Sequence, residues 1–236
     1  MCGRFALFSP PARIADHLHL DPTQVQSKFI RCHNITPGQE ILVVRDSRQM
    51  ARLRWGLVPG WAKDVKIGYR LINARAETLW KKPAFRRAAR TRRCLIPADA
   101  FYEWEKTADG KQPYAVRMKT GRLFAMAGVW DAWTDKNTGE VVESCSIITT
   151  AAVGSLKKIH RRMPVIIPPD YYTTWIENTS YPNADFNDLL KTSKTFDLEL
   201  TPVSRRLNHP ENDDPTLLEP VRSTTRPAGK PINSTF

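Results

Sequence analysis

Residues 94–130 read CLIPADAFYEWEKTADGKQPYAVRMKTGRLFAMAGVW, and this stretch decides the fold. It opens on an apolar and aromatic run, Cys94–Glu105. Asp109-Gly110 then marks a hairpin turn, and Tyr114–Met118 and Leu123–Trp130 follow as strands. Working outward, Ile41–Arg45 and Ala51–Leu57 form a second hairpin, and Val141–Thr149 is another strand. Ile35-Thr36-Pro37-Gly38 is a turn, because Pro followed by Gly suits type II geometry. Gly56–Lys66, with Gly56, Pro59, Gly60 and Trp61, is expected to be an exposed loop.

The helices are short. Pro10–Leu20 has Ile14 and Leu18 four apart, with Ser9 as the expected N-cap. Pro83–Arg90, Pro169–Asn178 and Asn183–Leu190 also read as helices, and Ala151–His160 as a helix or tight turn. Strands dominate, so the expected fold class is α+β: one domain around a curved, mostly antiparallel β-sheet or barrel. No internal repeat or interdomain linker interrupts residues 1–222. The polar tail, residues 223–236, carries two prolines and is expected to be disordered.

Hydrophobic residues make up 41% of the 236, and nine are Phe, which is the composition of a folded globule. The four cysteines, Cys2, Cys32, Cys94 and Cys145, are widely spaced and include no C-x-x-C pair. No signal peptide is recognisable, nor any apolar run of about 18 residues. These features point to a reducing intracellular compartment, cytoplasm and nucleoid in a bacterium or nucleus in a eukaryote, with free thiols and no membrane partner. No metal site or cofactor is expected. His17 and His19, two apart on a helix, face different ways, and Cys32-His33 is an isolated pair. Phosphate loops, dinucleotide glycine signatures and the G-x-S-x-G elbow are missing, which removes support for nucleotide hydrolysis, dinucleotide redox and α/β-hydrolase chemistry.

Charge is the second strong signal. Lys and Arg number 36 against 24 acids, a formal net charge of +12. Such a balance favours a polyanion, most often nucleic acid. The clustering of Arg86, Arg87, Arg90, Arg92 and Arg93, and of Lys157, Lys158, Arg161 and Arg162 around His160, argues against charge kept only for solubility.

The chain opens Met1-Cys2-Gly3-Arg4. A small residue after the initiator allows its removal, which would leave a 1,2-aminothiol. Its thiol and amine have reference pKa values of about 8.5 and about 7.7–8.0, so modest shifts activate either. Such a group attacks an acyl carbon, or condenses with an aldehyde to an imine and then a thiazolidine. The alternative is a small buried hydrophobe. Other positions also have two readings. Asn73 caps a helix or positions a reactant. Glu103 faces outward on a strand, or is desolvated by Phe101, Tyr102 and Trp104 into an acid/base group. His160 is structural or shuttles protons near phosphates. Trp61 packs in the core or stacks on a base.

The runs Met1–Phe5, Asn34–Gly38, Arg54–Trp61, Ile72–Thr78, Phe101–Trp104, Ile148–Ala152, His160–Pro164 and Pro202–Ser204 occur in one order. Together they resemble the SOS-response-associated peptidase (SRAP) family, whose members sense abasic sites in single-stranded DNA. The resemblance spans roughly residues 2–222. It implies a β-rich α+β fold with a positively charged groove, and a covalent DNA–protein cross-link through mature Cys2. It maps catalytic roles onto Cys2, Asn73, Glu103 and His160. DNA contacts map onto Arg4, Asn34, Trp61, Arg75 and Arg162, with Pro37 or Trp61 wedged against bases. The implied partner is single-stranded, replication-associated DNA carrying an abasic site, bound by a monomer. Weak strand-cleaving lyase activity and autopeptidase removal of Met1 are further implications. Two other readings compete: an N-terminal-nucleophile amidohydrolase of the glutamine amidotransferase kind, and a non-enzymatic single-strand binder in which Cys2 is structural.

Overall fold

The computed structural model describes residues 2–177, 186, 189–190 and 196–221. Two sheets carry the architecture. The first is antiparallel and holds β1 (Phe5–Leu7), β2 (Cys32–Ile35), β7 (Ala100–Thr107), β8 (Gly110–Met118) and β13 (Leu198–Pro202), in the order β13-β8-β7-β1-β2. The second is built on β3 (Glu40–Arg45), β4 (Gln49–Trp55), β6 (Arg93–Ala98), β9 (Phe124–Thr134) and β10 (Val141–Ala151). Each of these strands pairs with the next around a ring, and β10 pairs with both β9 and β4, so the five close into a barrel. Closure leaves no edge among them. β5 (Asn73–Arg75), β11 (Arg162–Pro164) and β12 (Ile166–Ile167) attach to β10 and β9.

The expected antiparallel character holds with one informative departure. β4 and β5 both run parallel to β10, end to end, at Cys145↔Trp55 and Ile147↔Asn73. The chain leaves the barrel after Trp55, makes an excursion over residues 56–72, and re-enters the same lane at Asn73. The central stretch holds the hairpin as read, with β7 and β8 meeting at Thr107↔Gly110, but the run Cys94–Glu105 divides at Asp99 into β6 of the barrel and β7 of the open sheet. Gly110 takes φ 108°, a conformation that favours glycine. Thr36–Gln39 is the expected Pro-Gly turn, with Gly38 at φ 91°.

Alternation along β7 sets the layers. Phe101 faces the main core together with Phe5, Leu7 and the barrel interior, whereas Ala100, Tyr102 and Trp104 face a second cluster with Val203, Leu207 and Leu217. The open sheet is therefore sandwiched between the barrel and the segment that follows β13.

Several local expectations are corrected. The first helix, α1 (Pro11–Leu18), is capped by Pro10 without a side-chain bond. Ser9 instead donates its hydroxyl to Asp99 Oδ1 at 2.5 Å, a contact 90 residues away that outcompetes the local cap. A second helix not read from the sequence, α2 (Pro22–Gln26), follows. The basic helix α3 runs Arg86–Thr91, and 154–158 is a 3-10 turn. Pro169–Tyr171 is likewise a 3-10 turn, leading into α4 (Tyr172–Ile176). Most of 183–190 and all of 223–236 lie outside the described residues.

The loop expected over 56–66 is exposed from Gly60 onward, at Gly60, Trp61, Lys63, Asp64 and Lys66, but not at its start. Leu57 and Val58 are buried, and Val58, Ala62 and Trp133 make a small apolar cluster of their own.

Candidate active site

Four separate elements deliver Cys2, Asn73, Glu103 and His160 to one place. Cys2 precedes β1, whose register is set by Phe5↔Phe101 and by the Tyr102 N–H donating to the Arg4 carbonyl at 3.0 Å. Continuing that register places Glu103 opposite Gly3, next to Cys2. Asn73 arrives on β5, and its Nδ2 donates to the Cys2 carbonyl at 2.8 Å. Trp55 braces this junction: its indole N–H bonds the Ile72 carbonyl at 2.9 Å, and its ring meets Phe5 edge-on at 5.2 Å. His160 sits just before β11, with Nδ1 3.5 Å from Glu103 Oε1.

Electrostatics distinguish the four. Burial pushes the Cys2 thiol well up, and the nearby Glu103 carboxylate adds to this. The thiol is fully buried and stays protonated near neutrality. Burial pushes Glu103 up to about 7. The expectation that its aromatic neighbours would desolvate it gave the right direction, but of the three only Phe101 shares its face. Tyr102 and Trp104 face the opposite side of β7, and Glu103 is desolvated because it shares the Phe101 face against the main core. Burial lowers the His160 pKa, which keeps the ring neutral. Its Nδ1 lies 3.0 Å from both the N–H and the carbonyl of Arg162. That one backbone unit can donate to a bare Nδ1 or accept from a protonated one, so either tautomer is accommodated.

The residues expected at DNA divide into two groups. Arg75 is exposed on β5, Trp61 is 61% exposed at the tip of the excursion, and Pro37 is half-buried at its turn. Lys157, Lys158 and Arg161 are exposed close in sequence to His160. Arg4, Asn34 and Arg162, by contrast, are engaged by the fold: Asn34 is buried, and the two arginines are half-buried. Arg4 donates to Asn34 Oδ1 and the Leu207 carbonyl, both at 2.8 Å, and the Asn34 amide donates to the carbonyls of His209 and Asn212. Arg162 makes a bidentate pair with Glu77 at 2.6 and 3.0 Å and also bonds the Thr149 carbonyl. Two residues of the quoted runs were given no role in the sequence reading. Glu77, in the run Ile72–Thr78, fixes the Arg162 guanidinium. Thr149, in the run Ile148–Ala152, lies on β10 between β5 and β11, and its carbonyl accepts from the same guanidinium.

A family model described as SOS response associated peptidase (SRAP) matches residues 1–210. The chain is 40% identical over 223 residues to Abasic site processing protein YoaM of Bacillus subtilis, covering 93% of this chain and 98% of that protein. It is 30% identical over 197 residues to Abasic site processing protein HMCES of Gallus gallus, covering 74% of this chain and 58% of that longer protein. A crystal structure of a Bacteroides thetaiotaomicron protein matches with a TM-score of 0.82 and 26% identity, covering 93% of this chain and all of that one. With its motifs, its fold and its relatives in agreement, the chain belongs to the SOS response associated peptidase family.

Proposed function

We propose that this protein captures abasic sites in single-stranded DNA as a covalent thiazolidine on Cys2, after loss of Met1. The observation that carries the reading is the convergence of Cys2, Asn73, Glu103 and His160, with the Cys2 backbone held by Asn73 and a carboxyl of perturbed pKa beside it. The relatives' names, which refer to abasic site processing, support the substrate class.

An abasic deoxyribose reacts as its ring-opened aldehyde. His160 assists opening by moving a proton to the ring oxygen as the anomeric hydroxyl loses one. Glu103, as carboxylate, takes a proton from the Cys2 ammonium, and the free amine adds to the aldehyde carbon. Protonated Glu103 returns the proton to the carbinolamine hydroxyl, which leaves as water to give an iminium, and the Glu103 carboxylate so regenerated takes the iminium N–H proton to give the imine. The Cys2 S–H then adds across C=N: sulfur bonds carbon and the proton goes to nitrogen. One water is lost overall. The buried, protonated thiol suits this order, amine first and sulfur second. Asn73 holds the nucleophile in place, replacing random encounter with proximity. Arg75, with Lys157, Lys158 and Arg161, is positioned to meet phosphates. Arg4 and Arg162 would do so while still engaged by Asn34 and Glu77. The imine also permits β-elimination, the route to weak lyase activity.

The test is incubation of the purified chain with single-stranded DNA carrying one abasic site, read by denaturing electrophoresis and intact mass. The expected product has the mass of the chain without Met1, plus DNA, minus one water, and Cys2→Ala abolishes it. Capture by Cys2→Ser would sink the thiazolidine, since a hydroxyl closes that ring poorly. No covalent product from a chain with a free Cys2 N-terminus would overturn the reading, and ammonia release from glutamine would then favour the amidohydrolase.

A further inference from the structure

The excursion over residues 56–72 holds a second exposed aromatic, Tyr69, for which the capture chemistry has no use. Tyr69 is 61% exposed, as is Trp61. The Arg54 guanidinium lies over its ring at 5.3 Å from the centroid. Arg54 is not neutralised by the obvious acid: Glu40, its cross-strand partner, pairs instead with Arg52 at 3.3 Å. The Pro37-Gly38 turn closes one side, so that a side chain at Gly38 would begin 3.5 Å from the Tyr69 ring.

This platform is stiff. Gly56 and Gly68 cross so closely that a Cβ on either would lie 2.6–2.7 Å from the other's carbonyl oxygen. The Leu57 N–H bonds the Leu71 carbonyl at 3.1 Å, the Val58 N–H bonds Ser144 Oγ at 2.7 Å, and the Gly60 N–H bonds Asp131 at 3.1 Å. An exposed ring on a rigid base binds with little ordering cost.

Its position is set by the barrel. Asp131, Ser144 and Arg54 are in register across β9, β10 and β4, so Gly60 beside Asp131 and Tyr69 over Arg54 stand roughly two strand spacings, about 10 Å, apart. Along β10, Arg54 and Asn73 are aligned with Ser144 and Ile147, about 10 Å apart along the strand, and the odd offset turns their side chains to opposite faces of it. Lys63, Lys66 and Arg70 are exposed on the same excursion. Aromatic faces interleaved with cations are the pattern that holds unpaired nucleic acid.

We propose that Tyr69, backed by Arg54, is a stacking subsite for an unpaired nucleobase a few nucleotides from the captured sugar, with Trp61 as the neighbouring platform. This rests on the single-strand reading above. The test measures binding of the full chain to unmodified oligothymidylate by fluorescence anisotropy, alongside covalent capture by the unaltered protein. A stacked base is worth about 1–3 kcal/mol, so Tyr69→Ala should weaken binding at least about fivefold. Tyr69→Phe and Tyr69→Trp should stay within about twofold of the parent, because each keeps a π-face. Binding to a blunt duplex should not respond to Tyr69→Ala, since its bases are already stacked. Oligothymidylate affinity of Tyr69→Ala within about twofold of the parent, or an equal loss in Tyr69→Phe, overturns the subsite. If capture by the unaltered protein succeeds in that case, the stacking proposal alone is lost. If capture fails, the Cys2 reading falls, and the oligothymidylate comparison still decides the role of Tyr69.

Discussion

Burial divides the Glu103 carboxyl between its two protonation states at neutral pH, because its folded pKa is pushed up from 4.5 to about 7. Two consequences follow. Accepting the Cys2 proton requires the carboxylate, so the capture rate should rise with pH through about 7 and then level. Glu103→Gln should remove that inflection and slow capture by about 10²–10⁴-fold, the usual worth of a general acid–base group. Stability runs the other way. A carboxyl whose folded pKa lies above its unfolded value favours the native state at low pH, and that contribution is lost as pH rises from about 4.5 to about 7. Above pH 7 the buried charge costs up to about 3 kcal/mol, so Glu103→Gln should melt a few degrees higher than the parent at pH 8 and no higher at pH 4. Thermal scans at both pH values check this, and equal melting temperatures at pH 8 would show that the carboxylate carries no such penalty. The residue and its chemical type were legible in the sequence. The face it occupies was not, because strand parity says which residues share a side but not which side is covered.

At the scale of the element, the excursion between β4 and β5 matters most. Its sequence, rich in Gly and Pro, reads as a surface loop, and its tip is one. Its base is buried because Gly56, at φ 124°, and Gly68 allow two backbone segments to touch. Gly68→Ala would drive a Cβ into a backbone carbonyl, which neither side can yield cheaply. A destabilisation of roughly 2–4 kcal/mol is expected in urea melts, with weaker single-strand binding if Trp61 and Tyr69 are displaced. Unchanged stability would mean that the crossing can open without cost. The crossing was hidden from the sequence because Ser144 and Asp131, which anchor this segment, lie some 70 residues or more away. The same remoteness explains Ser9, which reads locally as a cap and is taken by Asp99. The β7–β8 hairpin, whose contacts are local, was readable in outline: the Asp-Gly turn lies at its tip, although β8 begins four residues earlier than read.

For the whole molecule, a formal charge of +12 predicts affinity that falls steeply with salt. Single strands give a slope of about −0.7 per neutralised phosphate. Replacing Lys157, Lys158 and Arg161 together by Gln should therefore flatten the log–log salt dependence by about 2, while covalent yield at saturating protein persists. An unchanged slope would place the phosphate path elsewhere. The sequence by itself determined the α+β class, most of the strands, the Pro-Gly and Asp-Gly turns, the basic balance and the chemical identity of the site residues. Periodicity, turn chemistry and charge are local or additive properties, so they can be read from order alone. The tertiary structure alone decided that β4 and β5 share one lane along β10, that the barrel closes, and that Asn73 reaches Cys2 across 71 residues of chain. It also decided that Arg4, Asn34 and Arg162 are engaged by the fold whereas Arg75, Trp61 and Tyr69 face outward. Those outcomes depend on which surfaces bury one another, a property of pairs distant in sequence that no single stretch of the chain encodes.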